Sequence, residues 1–363
     1  MAAAREVNNI RGASMEFGIY HEFPSLDGHP DSDAFDEAFA MVDAAEEWGL
    51  DVMWLAELHF DPARSVLSAP LCVASAIAAR TRQIKIGIAV QVLPLGNPLR
   101  IAEEAATVDQ ISRGRLIFGV GRSGVARTYE SYNVPYAESR DRFAETLAII
   151  QQAWAHPVIS YAGRFHSFRD VTVTPRPFQP SGPPIRIAAT SAESFVSIGI
   201  QGKPIFMGVR HEDARDLLPS IESYRKAWRE AGHPGNGSVY MRAPGYIAAT
   251  EAAAREEVGA SLIHYYRAQA ALLTDSLGRA GVDGADRRAK VAERLGTITY
   301  DEALRGSVLI GTPDRVTRHL RELQADLGLD GVMLETNCGG MVPYEKEKEA
   351  LRLLCHEVMP RFR

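Results

Sequence analysis

The chain has 363 residues, 46% of them apolar and 24% charged, which is enough apolar surface for a large core and no sign of bulk disorder. A net charge of −6 with a pI near 6.0 excludes the strongly basic surface that draws in nucleic acid or an anionic membrane. Cys72, Cys338 and Cys355 show neither CxxC nor Cys/His metal spacing, so a reduced, cytoplasmic, metal-free protein with small-molecule or protein partners is expected.

Residues 1–14 lack the apolar core of a signal peptide, and no run approaches the roughly 18 apolar residues of a membrane span. They are expected to form a disordered leader, with the fold starting at Met15. Residues 15–20 (MEFGIY) predict the first strand, with His21 at its polar tip. A helix capped at Asp33 follows, its apolar stripe running through Phe35, Phe39, Val42, Ala45 and Trp48 to Gly49. The second strand, 51–56, delivers Glu57, Leu58, His59 and Phe60, and residues 69–79 predict the next helix.

Residues 84–132 are the stretch around which the rest is organised. An apolar run (84–92) meets a Pro/Gly break; Ile101, Ala105, Val108 and Ile111 then recur at helical spacing, and a turn at Arg113-Gly114 leads into a second apolar run (116–120). This is one βαβ unit with parallel strands. Its second strand carries Gly119, Gly121, Arg122, Ser123 and Gly124 to the carboxyl edge of the sheet, where α/β folds place their chemistry.

Residues 138–154 read as a helix, and 156–184 as a proline-rich ordered loop with a small hairpin around 171–174. A fifth strand (185–189) leads into a helix opened by Thr190, Ser191 and Ser194; a sixth (205–209) and a seventh (239–249) follow. Residues 251–310 are largely helical and polar, too long for one crossover, and read as an insertion after strand seven. Thr312 and Pro313 open the helix that precedes the eighth strand (331–335), and a terminal helix spans 344–359. Eight strands, each followed by a helix, predict an α/β fold, a single (β/α)8 TIM barrel over residues 15–363, ahead of a doubly wound sheet.

Gly119-x-Gly121-x-x-Gly124 matches the dinucleotide fingerprint by letter, but it follows the fourth strand rather than the first and opens no uninterrupted helix. What survives is a backbone able to approach a ligand, and Arg122 able to hold a phosphate or to pair with a neighbouring carboxylate. Thr190, Ser191 and Ser194 suit an anion at a helix start, or simple capping. Glu57 and His59 are candidates for polar work in the pocket or for an ordinary buried hydrogen bond, and His21 carries the same ambiguity. His264, Tyr265 and Tyr266 either line a pocket or pack.

Taken together, WLAELHF (54–60), VLPLGNPLR (92–100), AEEAATVDQISRGRLIFG (102–119), residues 163–168, the Pro-rich lead into strand five and residues 311–316 resemble the bacterial luciferase-like flavin-dependent monooxygenases. The resemblance implies a (β/α)8 barrel that takes reduced FMN from a separate flavin reductase and, with O2, oxygenates a small organic substrate through a flavin C4a-(hydro)peroxide. A cytoplasmic homodimer is expected. By position, Arg122 falls on the family's phosphate-binding arginine, and Ser191 and Ser194 on the hydroxyls that share that phosphate. Ala89 and Val90 fall where backbone approaches the isoalloxazine ring. Glu57 and His59 match the first and third positions of the luciferase Glu-His-His motif, with Leu58 replacing the middle histidine, and Gly121 stands where the luciferase α subunit has its reactive cysteine. Both departures count against aldehyde-type luminescence. The implied catalytic group is His59, with His21 and Glu57; the implied cofactor set is Ala89, Val90, Gly121, Arg122, Thr190, Ser191 and Ser194. A deazaflavin-dependent oxidoreductase and a non-catalytic flavin-binding subunit are the alternatives.

Overall fold

Eight strands pair side by side in chain order, and the last pairs with the first, all parallel: Glu16–His21, Val52–Leu55, Lys85–Ile88, Leu116–Gly121, Ile185–Ala189, Ile205–Gly208, Val239–Ile247 and Gly331–Glu335. This closed (β/α)8 barrel is seen in a computed structural model that describes residues 14–25, 29–209, 213–279, 281–282 and 284–363. The expected leader lies almost wholly at 1–13, outside the described residues. Among the described residues no helix is long and apolar enough to cross a membrane.

Strand parity sorts the side chains into two layers. Phe17, Ile19, Met53, Leu55, Ile86, Ile88, Phe118 and Val120 face outward and form the main core against the helices. Tyr20, Val52, Trp54, Ala56, Phe206, Tyr240 and Met333 fill the lumen. Trp54 occupies so much of it that a Cβ on Gly18 or Gly87 would lie 2.5 or 2.0 Å from indole atoms.

The helices begin where local chemistry allows. Asn97 Oδ1 accepts from Leu99 N and Arg100 N at 3.0 and 3.3 Å, with Pro98 at the first helical position of Pro98–Ser112. Thr312 caps Pro313–Leu327 in the same way, and Gly328 ends it at φ 62°.

One sequence expectation needs correction. The hairpin pairs Ile159–Ala162 with Ser167–Val171, so it meets the expected 171–174 only at Val171. Its turn is held by the Glu145 carboxylate, which accepts from Arg164 N, Phe165 N and His166 N at 2.9, 3.0 and 2.8 Å, a tertiary device that Gly/Pro punctuation does not announce. The insertion, in turn, owns a core. Its helices Glu251–Asp275 and Ala285–Thr297 bury Ala254, Val258, Leu262, Tyr265, Tyr266 and Leu295 against Tyr246, Ile310, Cys338 and Val342.

The insertion also spans the mouth of the barrel. It leaves the seventh strand on a helix about 37 Å long. Beyond that helix, Arg279 forms ion pairs with Asp275 and with Glu130, which belongs to the short helix Ala126–Ser131 after the fourth strand, across the ring.

Candidate active site at the barrel mouth

Glu57 follows the second strand with its side chain 5% exposed, and three N–H donors converge on it. Gln91 Nε2 donates to Oε2 at 2.6 Å, Val92 N donates to Oε2 at 2.8 Å, and His59 Nε2 meets Oε1 at 2.9 Å. A carboxylate only accepts, so the proton of a neutral His59 ring sits on Nε2 and Nδ1 becomes an acceptor. Tyr132 OH lies 3.2 Å from that Nδ1, with the two rings edge to face at 5.2 Å. The resulting chain runs from a solvent-reached phenol through an imidazole to a buried carboxylate.

Leu58, Ala89 and Val90 pack against the lumen cluster beside this chain, as an apolar shelf. The third predicted strand breaks there: Lys85–Ile88 ends, the Ala89-Val90 peptide is cis, and Gln91–Val92 then pairs with Val120 and Gly121. A Cβ on Gly121 would lie 2.6 Å from Val90 Cγ2, and one on Gly119 would lie 1.9 Å from Ile88 O. Two glycines of the fingerprint-like run therefore serve barrel packing. Gly124 faces open space.

Arg122, one residue beyond the fourth strand, donates from Nη1 to Ser139 Oγ at 2.9 Å, while Tyr129 OH donates to its carbonyl. Its Nε and Nη2 have no hydrogen-bond partner among the described residues, and no carboxylate pairs with it there. The neighbouring fifth strand, in register through Gly119↔Arg186 and Val120↔Ile187, leads to Ser191 and the helix Ala192–Ile200. Ser191 and Ser194 form a reciprocal capping box: Ser194 Oγ accepts from Thr190 N and Ser191 N, both at 3.0 Å. Capping thus accounts for much of the hydroxyl pattern, and the Glu193 carboxylate, held below the usual carboxylate range by its own N–H and by Ser191, already shares the first turn's N–H set.

His21 is not part of this assembly. It shares the parity of Phe17 and Ile19, stacks edge to face on Phe23 at 5.2 Å, and lies 3.7 Å from Glu347 Oε1. Burial holds its pKa below the usual imidazole value, against the pull of Glu347 and Glu22. His264 is exposed, whereas Tyr265 and Tyr266 are buried.

Sequence reasoning missed the charged wall opposite. Arg242 stands two residues after lumen-facing Tyr240, Glu335 two after Met333, and Glu22 two after Tyr20; Arg64 comes from the loop beyond the second strand. An arginine inside VYMRAPGYI is the signal that could have found it, since parity alone turns it inward.

A family model described as luciferase-like monooxygenase matches residues 15–331. The chain belongs to that family. This luciferase-like protein is 25% identical over 357 residues, 96% of each chain, to the oxygenase component of a flavin-dependent trigonelline monooxygenase from Acinetobacter baylyi. It is 36% identical over 152 residues, 40% of its length and 44% of the other's, to an F420-dependent glucose-6-phosphate dehydrogenase from Kineococcus radiotolerans. Its fold matches the oxygenating constituent of 3,6-diketocamphane monooxygenase from Pseudomonas putida, solved with FMN, at a TM-score of 0.79 and 20% identity, over 96% and 98% of the two chains. It is an oxidoreductase of the flavin-dependent monooxygenase superfamily, whose members include both FMN monooxygenases and F420-dependent enzymes.

Proposed function

We propose that the protein is the oxygenase of a two-component system, taking reduced FMN from a separate reductase and using O2 to oxygenate a small organic substrate. One juxtaposition carries the reading. Arg122, with guanidinium donors to spare, and the helix start at Ser191 stand on adjacent strand ends, next to the apolar shelf of Leu58, Ala89 and Val90. A phosphate and a flat ring on one ligand need that combination.

The fit is supported by a buried acceptor: Gln91 Oε1 has no partner, because its amide is oriented by the Glu57 carboxylate, and an isoalloxazine carries an N–H donor. Bound reduced FMN would supply the electrons and the activation of O2. Arg122 would fix the phosphate, with Ser191, Ser194 and the first-turn N–H groups of Ala192–Ile200 completing the cradle beside Thr190. Leu58, Ala89 and Val90 would exclude water from the ring face, and Gly121 keeps Val90 in place. His59, oriented by Glu57, would hold or move a proton at Nδ1, with Tyr132 as its contact to solvent.

The Acinetobacter relative, matched from end to end, supports an oxygenase fed with flavin. The Kineococcus relative supports a second reading, hydride transfer with a deazaflavin. Anaerobic titration with reduced FMN, oxidised FMN and F420, followed by admission of air, separates them. Tight binding of reduced FMN that is oxidised on aeration is expected; a preference for F420 replaces the proposal with the second reading.

A further inference from the structure

The wall built by the first, seventh and eighth strands carries charge where the shelf side is apolar. Arg64 is held bidentately by Glu22, donating from Nε to Oε2 at 2.8 Å and from Nη2 to Oε1 at 2.5 Å. Arg242 donates from Nη2 to Glu335 Oε2 at 2.6 Å and to Glu22 Oε1 at 3.3 Å, and its guanidinium lies 3.7 Å from the centroid of the Tyr20 ring. The set is unevenly satisfied. Arg242 Nε and Glu335 Oε1 are both buried and lack a partner, although their residues are bonded to each other.

A purely structural ion-pair network closes its own valences, since each buried polar atom left open is destabilising. Here an unfilled donor and an unfilled hydrogen-bonding oxygen belong to two directly paired groups. Glu335 is 3% exposed and both open atoms are buried, while Arg242 keeps 24% of its side chain open, and a ligand in the mouth meets the pair there.

Charge decides the class of ligand. Two guanidiniums face two carboxylates, so the set is formally neutral and a further full charge gains little from it. A carbonyl oxygen, by contrast, suits an arginine N–H, and a hydroxyl suits Glu335 whether that carboxyl is ionised or protonated. Burial raises the proton affinity of Glu335, with Arg242 opposing it and Glu22 adding to it, so tolerance of both forms matters.

We propose that Arg242 and Glu335 form the substrate-recognition site of the mouth and take a neutral hydroxy-carbonyl compound, with its carbonyl oxygen on Arg242 and its hydroxyl on Glu335. The proposal rests on the oxygenase reading only in treating the mouth as the substrate's place.

The test uses α-hydroxyacetophenone, acetophenone and ethylbenzene as probes of the full-length protein. Their dissociation constants are measured by ligand-observed NMR, and FMN binding is followed by fluorescence quenching on the same preparations. Affinity should fall about tenfold for each oxygen function removed. Arg242→Lys, which keeps a cation between the two carboxylates, should abolish the carbonyl step; Glu335→Met should abolish the hydroxyl step. FMN quenching that persists in both variants shows that the fold is intact. No binding of α-hydroxyacetophenone, equal affinity for all three probes, or an unchanged series in Arg242→Lys overturns the proposal while leaving the FMN reading standing. The graded series without any FMN quenching in wild type does the reverse.

Discussion

Gln91 Nε2 donates to Glu57 Oε2 at 2.6 Å, joining the ends of the second and third strands through one carboxylate. The same carboxylate accepts from Val92 N and meets His59 Nε2, so shelf and imidazole are positioned by a single side chain. Glu57→Gln leaves one acceptor oxygen for three N–H donors. Each donor stranded in the interior should cost about 1–3 kcal/mol. Urea unfolding should show that loss, and nitrogen NMR should show the neutral His59 ring changing from the Nε2–H form to a mixture of tautomers. A ring that keeps one tautomer in the variant would remove Glu57 from its orienting role.

Arg122→Ala tests the phosphate cradle. Losing a charge-assisted contact should weaken FMN binding by about 1.5–3 kcal/mol. Riboflavin, which has no phosphate, provides the control. Equal losses for both ligands would mean that Arg122 acts through the ring or the fold, for instance through its bond to Ser139.

The lumen makes a packing prediction free of any ligand. A Cβ at Gly87 would lie 2.0 Å from the Trp54 ring, while one at Gly124 meets nothing within 4 Å. Neither glycine has a positive φ, so backbone strain does not separate them. Gly87→Ala should therefore destabilise by about 1–3 kcal/mol through overpacking. Gly124→Ala should be neutral, or stabilising by up to about 1 kcal/mol through the unfolded chain. Similar denaturation midpoints for the two variants would mean that Trp54 does not fill the space between the first and third strands.

The barrel was legible because its information is local. Apolar runs of strand length alternate with stripes of helical period, and the caps at Asn97 and Thr312 stand where helices start. Two residues resisted for a different reason. His21 stands at a strand tip, but its parity with Phe17 and Ile19 turns it outward. Arg242 lies hidden inside an apolar strand, although parity with Tyr240 turns it into the lumen. The Glu145 turn and the Gln91–Glu57 bond join segments 19 to 34 residues apart, and no window of sequence displays such a pairing.

His21 yields a pH prediction with a definite sign. Its ring is packed between the first strand, the helix Asp31–Glu47 and the segment leading into Tyr344–Leu353, facing Glu347, Glu37, Asn337 and Tyr344, with Glu22 next to it in the chain. Burial is the largest influence and lowers its pKa from 6.5; the two glutamates oppose it. A group whose folded pKa is depressed leaves the unfolded chain holding more protons just below the unfolded value. Its contribution to stability is therefore complete above about pH 6.5 and is lost as pH falls toward the lower folded value, by up to about 1.4 kcal/mol per pH unit. Unfolding free energies of wild type and His21→Gln, measured between about pH 5 and 8, isolate this contribution, because every other group titrates in both proteins. The difference, wild type minus variant, should rise with pH and flatten above 6.5. A difference that falls with rising pH would mean that the folded state holds His21 charged against Glu347, with the ion pair rather than burial governing the site.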